Sequence, residues 1–446
     1  MNQQRFGEGI ASVFCVLALF WLVGPAHLYS QEAMFRGNPQ HTGVYGSKAV
    51  SELHGVKWKF KTQGRIFSSP AISGGVVYIG SEDHHLYAID ARSGNLKWKF
   101  KTEGEIDSTP AVSRGGVFFM SYDGNFYGLD SKDGRLKWKF KTEGERRSEA
   151  RGLDGMRPRT QMFPNPWDYF LSSAGVDGDR VIFGCGDSRV YALDVRTGAL
   201  IWKFQTGDVV HTSPALAGGT VYLGSFDNYF YALDAKTGGE KWKFKTGEDP
   251  QYHNQSGIQS SAAVADGTVY FGCRDAHLYA LEAATGKEKW NFSTKGSWII
   301  GSPAVKKGMV YFGTSDSTQF FGLERETGRE IYATKLKAYI FSSPALADDI
   351  AYVGGFDGKL AALDTASGKI LWEFRTDGYN QNSSRLLSPE GKFNYEKTED
   401  GTLGTYNWVI LQLNRFLSLG SILSSPAVAD RLVYFGSTDG NLYAIF

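Results

Sequence analysis

The sequence contains little cysteine and almost no net charge. Its 446 residues include 3 cysteines, too few for a disulfide framework in a chain of this length. Lysine and arginine together number 48, against 47 aspartates and glutamates. We therefore predict no nucleic-acid partner, because proteins that bind polyanions usually carry a clear basic excess.

Long apolar runs are also absent, apart from one at the N-terminus. Residues 10–23 form an apolar run that follows Arg5 and precedes Gly24 and Pro25. A bilayer span needs about 20 such residues, whereas a run of this length is typical of a signal-peptide core. We predict a signal peptide over residues 1–30, export to the periplasm or beyond, and no stable membrane span after cleavage. The alternative is an uncleaved N-terminal anchor.

Motifs that would indicate an enzyme are missing as well. The sequence has no glycine-rich phosphate loop ahead of a helix, and no serine, histidine and aspartate group stands out from the repeated background. The 54 glycines belong to turns instead. These absences weaken the case for an enzyme but do not exclude one.

What the sequence does contain is a repeat of about 40 residues. Each unit begins with a Ser-Ser-Pro-Ala motif, continues through Val-Tyr and Leu-Tyr-Ala-Leu-Asp, and ends at Lys-Trp-Lys-Phe. Four short runs of β-branched and aromatic residues in each unit predict four antiparallel strands, which is typical of a propeller blade. One aromatic residue in each unit marks the period, and we expect this residue to dock between blades. These residues are Trp58, Trp98, Trp138, Trp202, Trp242, Trp290, Tyr332 and Trp372.

The number of units predicts an all-β, eight-bladed β-propeller. Seven units are complete, and the eighth begins at Ser424 but stops at Phe446 after its third strand. Residues 55–62 carry a single fourth-strand sequence ahead of the first unit. We expect residues 55–62 to complete the last blade, because closing the ring removes open sheet edges. The propeller then covers residues 55–446, and residues 31–54 form a leader segment.

Three insertions interrupt the repeat, at residues 145–171, 248–258 and 379–423. Each follows the tryptophan strand and precedes the next Ser-Ser-Pro strand, so we expect all three on one face of the propeller. We call this the inserted face. Loops that elaborate one rim of a rigid scaffold are the usual place for a binding site. The alternative is that the insertions pack on each other only as a structural lid.

The candidate binding residues are aromatic, arginine or histidine side chains at the inserted face. Aromatic residues outside the blade pattern are typical anchors for a partner, and arginines can meet an acidic one. The two histidines lack a third ligand, so we predict no metal site. The candidates are Arg147, Arg151, Trp167, Tyr169, His211, Tyr252, His253, Trp298, Tyr395, Tyr406 and Trp408.

The repeat resembles the tryptophan-docking motif of pyrroloquinoline-quinone-type (PQQ-like) propellers. The resemblance is carried by residues 88–94, Ala-Ile-Asp-Ala-Arg-Ser-Gly, together with Trp98, and by the same pattern ending at Trp202, Trp242 and Trp372. It covers nearly the whole mature chain. It implies the propeller fold specifically, but it does not specify one function.

The resemblance implies two alternative functions. One is a quinoprotein dehydrogenase, in which PQQ lies over the central channel against a disulfide of adjacent cysteines, with calcium and an aspartate base. The other is the propeller lipoprotein of the outer-membrane β-barrel assembly machinery, which binds proteins and catalyses nothing. This sequence has no adjacent cysteines, and Phe14 before Cys15 does not fit a lipoprotein signal. We interpret Cys185 and Cys273 as small buried residues, too far apart to form a disulfide.

We predict an exported, non-catalytic binding or scaffold propeller that needs no cofactor and engages a protein or cell-envelope partner through the inserted face. The alternative is a PQQ-dependent oxidoreductase that holds PQQ and calcium at the channel mouth. A polysaccharide or another cell-surface ligand would use the same aromatic residues.

Overall fold

Each repeat folds into one four-stranded antiparallel sheet, because its four apolar runs are separated by tight glycine and aspartate turns. The computed structural model describes residues 33–151, 161–249, 257–395 and 406–446. Eight four-stranded sheets lie within these residues. The eight-bladed, all-β propeller expected from the sequence is therefore confirmed.

The strands are numbered along the chain. Strand β1 (Val56–Lys61) precedes the first complete blade. Blades one and two consist of β2 (Ala71–Ser73), β3 (Val76–Ser81), β4 (His85–Asp90), β5 (Leu96–Lys101), β6 (Ala111–Ser113), β7 (Gly116–Met120), β8 (Asn125–Asp130) and β9 (Leu136–Lys141). The first insertion contains the short hairpin β10 (Glu149–Arg151) and β11 (Met162–Pro164).

The remaining blades repeat the same order of strands. Blades three and four consist of β12 (Gly175–Asp177), β13 (Arg180–Cys185), β14 (Arg189–Asp194), β15 (Leu200–Gln205), β16 (Ala215–Ala217), β17 (Thr220–Gly224), β18 (Tyr229–Asp234) and β19 (Glu240–Lys245). Blades five and six consist of β20 (Ala263–Ala265), β21 (Thr268–Gly272), β22 (His277–Glu282), β23 (Glu288–Ser293), β24 (Ala304–Lys306), β25 (Met309–Gly313), β26 (Gln319–Glu324) and β27 (Glu330–Lys335). Blade seven and the last three strands are β28 (Ala345–Ala347), β29 (Ile350–Gly354), β30 (Lys359–Asp364), β31 (Ile370–Arg375), β32 (Ala427–Ala429), β33 (Leu432–Gly436) and β34 (Asn441–Ile445).

The ring closes where the two ends of the propeller meet. Strand β1 pairs antiparallel with β34, with Trp58 opposite Ala444 and Phe60 opposite Leu442. The eighth sheet therefore has the order β1-β34-β33-β32. This confirms that the solitary N-terminal strand completes the last blade and pairs the edge that β34 would otherwise expose.

The aromatic residue that recurs in each repeat makes one contact between neighbouring blades. Trp138, for example, donates from Nε1 to the carbonyl oxygen of Val195 in the next blade at 3.2 Å. Its ring also lies against Gly198, where an added Cβ would come within 2.5 Å of the indole. Trp372 makes its bond to the leader residue Val50 instead, at 3.1 Å. The repeated Gly and Trp therefore form one interlocking joint, because only glycine leaves room for the ring.

The Ser-Ser-Pro motifs form a hydrogen-bonded ring around the central channel. The backbone N–H of the second residue in one motif donates to the hydroxyl oxygen of the second residue in the next blade. Ser425 of the last blade donates in this way to Ser69 of the first, at 2.8 Å. Seven such bonds, of 2.8–3.2 Å, lie among the described residues. The motif therefore links seven of the eight pairs of neighbouring blades at the axis.

The leader segment crosses the innermost strands of several blades. Its backbone pairs with Val112, Leu216 and Leu346, and Asp348, in the turn after β28, accepts from the backbone N–H of Ala49. The guanidinium of Arg36 is buried and donates to the carbonyl oxygens of Pro344 and Pro303, at 2.5 and 2.9 Å. The leader thus covers the channel from the side where the innermost strands end.

The third insertion supplies the two α-helices of the described residues. Helix α1 spans Asp377–Leu386, and the side chain of Thr376 caps its N-terminus by accepting from Tyr379 N–H. Helix α2 spans Tyr406–Leu417 and buries Val409, Gln412, Leu413 and Leu417. One face of α2 therefore packs on the propeller, as its amphipathic sequence requires.

Candidate functional site

The central channel is lined by the residue that precedes each Ser-Ser-Pro strand. Blades one, three, six and seven contribute the apolar side chains Phe67, Leu171, Ile300 and Phe341, and blades two, four and five contribute Asp107, His211 and Gln259. These residues leave a narrow cavity of about 30 Å³. The channel therefore combines apolar and polar side chains at the same position of the repeat, although one repeat builds every blade.

The end of the first insertion fills the mouth of this channel. The ring of Tyr169 stacks on Phe67, with 5.2 Å between centroids, and Trp167 packs edge-on against Phe341. Gln259 donates from Nε2 to the carbonyl oxygen of Trp167 at 3.0 Å. Tyr169 is only 5% exposed. The predicted residues Trp167 and Tyr169 thus lie directly over the channel, where they pack against blade residues.

A buried ion-pair triad fixes the first insertion to blade four. His211 Nδ1 lies 2.8 Å from Asp168 Oδ1, and His211 Nε2 lies 2.9 Å from Glu145 Oε1. All three side chains are at most 1% exposed. Asp168 also accepts from the backbone N–H of Ser148, and Glu145 accepts from that of Gly186. The two ends of the insertion are therefore held by one imidazole.

The electrostatics of the triad favour a protonated histidine. Burial by itself lowers the pKa of His211, but Asp168 and Glu145 outweigh burial and raise the pKa to about 10. Burial raises the pKa of Asp168, but His211 and the Ser148 N–H more than offset it, so this pKa lies below its usual value. Both nitrogens of His211 are engaged by carboxylates, so its role here is to hold the insertion.

A second buried acidic residue, Asp107, lies beside the channel in blade two. Burial raises the pKa of Asp107 well above its usual value, and the charge of Glu82 raises it further. Neither carboxyl oxygen of Asp107 has a hydrogen-bond partner among the described residues. The guanidinium of the predicted residue Arg147 lies 5.8 Å from the ring centroid of Tyr122 and lowers the pKa of Asp107. Arg147 therefore lies close to Tyr122 and Asp107 at the channel mouth.

A cleft opens on the inserted face next to the channel mouth. It encloses about 200 Å³ between α2, the first insertion and blades five to seven. We call it the aromatic cleft, because seven of its lining side chains are aromatic. The lining residues are Trp167, Trp298, Ser315, Asp316, Tyr339, Phe341, Tyr395, Trp408, Val409, Gln412, Leu413 and Phe416. It brings together four of the predicted residues, Trp167, Trp298, Tyr395 and Trp408.

The first and third insertions contact each other beside the cleft. The ring of Tyr406 stacks on Phe163 with 5.2 Å between centroids, and Ala150 packs against Val409 and Leu413. Tyr395 remains 53% exposed. The insertions therefore combine a packed core of their own with an accessible aromatic rim.

A buried guanidinium, that of Arg274 in blade five, also contacts Trp298. Arg274 is fully buried, and its guanidinium lies 5.0 Å from the ring centroid of Trp298 and 5.2 Å from that of Phe226. It donates to Gln259 Oε1 at 2.6 Å. The mouth thus already accommodates one guanidinium between aromatic rings, which stabilise it through cation–π attraction.

Several sequence predictions fall outside the described residues. Tyr252, His253 and most of the second insertion belong to this group, as does the signal peptide over residues 1–30. The side chain of Arg151 also lies outside it. These predictions stay predictions.

The sequence reasoning overlooked four acidic residues that the fold places at the mouth. Glu145, Asp168, Asp107 and Asp316 are separated along the chain, and no short motif connects them. One signal was readable for Asp316, since blade six departs from the repeat around it. For the other three, only the packing of the insertion on the blades reveals the cluster.

The described cysteines are inert. Cys185 and Cys273 are buried and free, as the sequence predicts, and burial raises the pKa of both thiols. Within the described ranges, no set of three or more histidine, cysteine, aspartate and glutamate side chains is arranged to hold a metal ion. No helix in the same ranges is long and apolar enough to cross a bilayer.

Solved structures share the fold at low sequence identity. BamB from Moraxella catarrhalis aligns with a TM-score of 0.62 at 17% identity, over 88% of this chain and 97% of that one. A quinohemoprotein alcohol dehydrogenase from Comamonas testosteroni aligns with a TM-score of 0.66 at 12% identity, over 92% and 80% of the two chains. A europium-containing methanol dehydrogenase gives 0.65 at 14% identity, over 91% and 90%. These likenesses concern the fold alone.

The sequence itself matches a family model over almost all of the propeller. No curated protein matches the chain. The family model described as outer membrane protein assembly factor BamB matches residues 48–166, 165–297 and 274–446. The repeats, the closed eight-bladed ring and this match together place the chain in the family described as outer membrane protein assembly factor BamB.

Proposed function

We propose that this chain is a non-catalytic binding propeller of the cell envelope that engages a protein partner through the aromatic cleft. The description of its family names an assembly factor of the outer membrane, which supports an envelope location and a protein partner. Export through the predicted signal peptide belongs to the same proposal.

The observation that carries the proposal is the accessible aromatic surface formed by the first and third insertions. Tyr395 is 53% exposed at the rim of the cleft, and Trp408 on α2 is partly exposed in its wall. Large exposed apolar side chains around a concave surface are typical of protein-binding sites. The rigid ring beneath them keeps the surface in one shape, which lowers the entropic cost of binding.

Two observations speak against the PQQ alternative. Residues 167–171 of the first insertion pack in the channel mouth, where the resemblance would place the quinone, and Tyr169 there is stacked on Phe67. The sequence also lacks the adjacent cysteines of that site, and Cys185 and Cys273 are free and lie two blades apart. The residues at the mouth do not fit PQQ, so we derive no oxidation chemistry for this chain.

The proposal is tested by site-specific photo-crosslinking in the cell envelope. A photoreactive phenylalanine analogue replaces Tyr395 in the full-length chain, and a matched variant carries it at Lys132, an exposed turn residue at the other end of a blade. We expect a discrete covalent adduct with one protein at Tyr395 and none at Lys132. Equal adducts at both positions, or none at either, would contradict a binding role for the cleft.

The competing oxidoreductase role has its own measurement. PQQ is titrated with calcium into the purified full-length protein, and its absorbance is followed. We expect no change in the PQQ spectrum. Stoichiometric binding together with dye reduction by an alcohol or a sugar would favour the enzyme instead.

A further inference from the structure

In most blades, the aspartate in the turn between the second and third strands has a partner inside its own blade. The hydroxyl of a tyrosine four positions later donates to this aspartate at 2.6–2.7 Å in six blades, as Tyr87 does to Asp83 and Tyr231 does to Asp227. The carboxylate in those blades is therefore part of the repeat. It contributes to the turn and is not available to a ligand.

Blade six departs from this pattern at Asp316. Its turn is one residue longer, because Gly313 pairs with Phe320, seven positions on, whereas Gly80 in blade one pairs with Leu86, six positions on. Phe321 then occupies the position of the tyrosine and has no hydroxyl to donate. Asp316 keeps a hydrogen bond from Ser315 Oγ, at 2.9 Å.

Blade seven also lacks the tyrosine, but it supplies a cation instead. Asp357 lies 3.3 Å from Nζ of Lys359, two positions later. Asp316 forms no ion pair with any described residue, and it lies in the wall of the aromatic cleft. Asp316 as a whole is exposed to solvent, but partial burial of its carboxyl group raises the pKa, and the nearby charge of Asp249 raises it further. A cation that enters the cleft would relieve this cost.

The other walls of the cleft suit a cation of a particular kind. Asp316 is the only acidic or basic residue among the described residues that line the cleft, and the aromatic faces favour a weakly hydrated, flat cation over a strongly hydrated ammonium. The cavity of about 200 Å³ has room for one large side chain. Arg274 gives a precedent in the same molecule, with its guanidinium placed between Trp298 and Phe226.

We propose that the aromatic cleft binds the guanidinium of an arginine side chain presented by the partner protein, with Asp316 as its carboxylate partner. This inference rests on the proposed function, because it names the chemistry that the partner must offer. The aromatic rings pack against the planar cation, and the carboxylate neutralises it at the solvent-accessible wall of the cleft.

The test uses small probes on the purified full-length protein. The protein is labelled with 5-fluorotryptophan, and the resonances of Trp298 and Trp408 are assigned with the Trp298→Phe and Trp408→Phe variants. N-acetyl-arginine methylamide is titrated against its neutral isostere, N-acetyl-citrulline methylamide, and against tetramethylammonium. We expect saturable shifts with the arginine probe and about tenfold weaker binding of citrulline, because only the former makes a charge-assisted bond.

Two variants locate the cation partner. Asp316→Asn should lower the affinity for the arginine probe to that for the citrulline probe. The substitution Asp133→Asn, at an exposed position, should leave the affinity for the arginine probe unchanged. Equal binding of arginine and citrulline, an unchanged affinity in Asp316→Asn, or tighter binding of tetramethylammonium would each overturn the assignment. Circular dichroism and thermal unfolding check that Asp316→Asn is folded. If Asp316→Asn does not fold, the comparison of the arginine and citrulline probes on the wild-type protein still decides the question.

The two proposals fail separately. If the Tyr395 adduct forms and the arginine probe does not bind, the partner-binding role stands and the arginine assignment is wrong. If the arginine probe binds through Asp316 while no adduct forms, the cleft recognises guanidinium but the proposed protein partner is wrong.

Discussion

Replacing His211 tests whether the buried triad holds the first insertion in place. In His211→Gln the imidazole is lost, and Asp168 and Glu145 keep two buried carboxylates without their shared cation. Breaking a buried ion pair by removing one partner typically costs about 3–5 kcal/mol of the free energy of unfolding. Because the pair is fully buried, solvent screening does not reduce this value appreciably.

The loss of stability caused by His211→Gln should decrease as the pH rises. The pKa of His211 is raised from 6.5 to about 10 in the folded protein. A histidine with a raised pKa contributes its full stabilisation below the unfolded value, and this contribution disappears as the pH rises through the folded value. The pKa of Asp168 is lowered instead, so its contribution is present above its ordinary value of 3.8 and is lost as the pH falls further. The difference between wild type and His211→Gln should therefore be largest near pH 6 and shrink toward pH 10.

The assay is urea unfolding of both proteins at several pH values between 5 and 10, followed by tryptophan fluorescence. The control is His54→Gln, an exposed histidine of the leader, which should change the free energy of unfolding by less than about 0.5 kcal/mol. If His211→Gln lowers the free energy of unfolding equally at pH 6 and pH 10, or at neither pH, then His211 is not a protonated imidazole that pairs with both carboxylates. Loss of the Tyr395 adduct in His211→Gln would link the triad to the cleft.

Two further substitutions test the joints of the ring. Gly198→Ala should lower the free energy of unfolding by about 1–3 kcal/mol more than Gly218→Ala. Both glycines have a positive φ, but only at Gly198 would the new Cβ meet an indole ring, at 2.5 Å, and thermal unfolding of the two variants makes the comparison. Arg36→Met should cost about 1.5–3 kcal/mol, because two charge-assisted bonds to Pro344 and Pro303 are lost. The exposed Lys48→Met is its control in urea unfolding, and equal effects would contradict an anchoring role for Arg36.

The repeat made most of the fold predictable. Each strand pairs with its neighbour in sequence, so the spacing between Trp98 and Trp138 was enough to define a blade and to count eight. The closure by residues 55–62 also followed from the sequence. The chain begins with a fourth strand that has no blade and ends with a blade that has no fourth strand, and these two can form backbone hydrogen bonds with each other. The aromatic residues of the insertions stood out for the same reason, since the repeat gave a background against which they differed.

Which residues meet at the channel mouth could be learned only from the tertiary structure. Glu145, Asp168 and His211 are separated by 23 and 43 positions, and no periodic pattern connects an insertion with the blade that it covers. Residues 167–171 fill the channel mouth and leave the cleft beside it, an outcome decided by how the aromatic rings of the first insertion and the blades pack against α2.

The sequence by itself determined the number of blades, their strand order and the joint between them, because those contacts repeat at a fixed spacing and involve neighbours along the chain. Only the tertiary structure decided which insertion residues are buried, which carboxylates share a histidine, and where Asp316 faces an open cleft. Those contacts join distant parts of the chain, and each occurs once, so the sequence offers no second copy from which to recognise them.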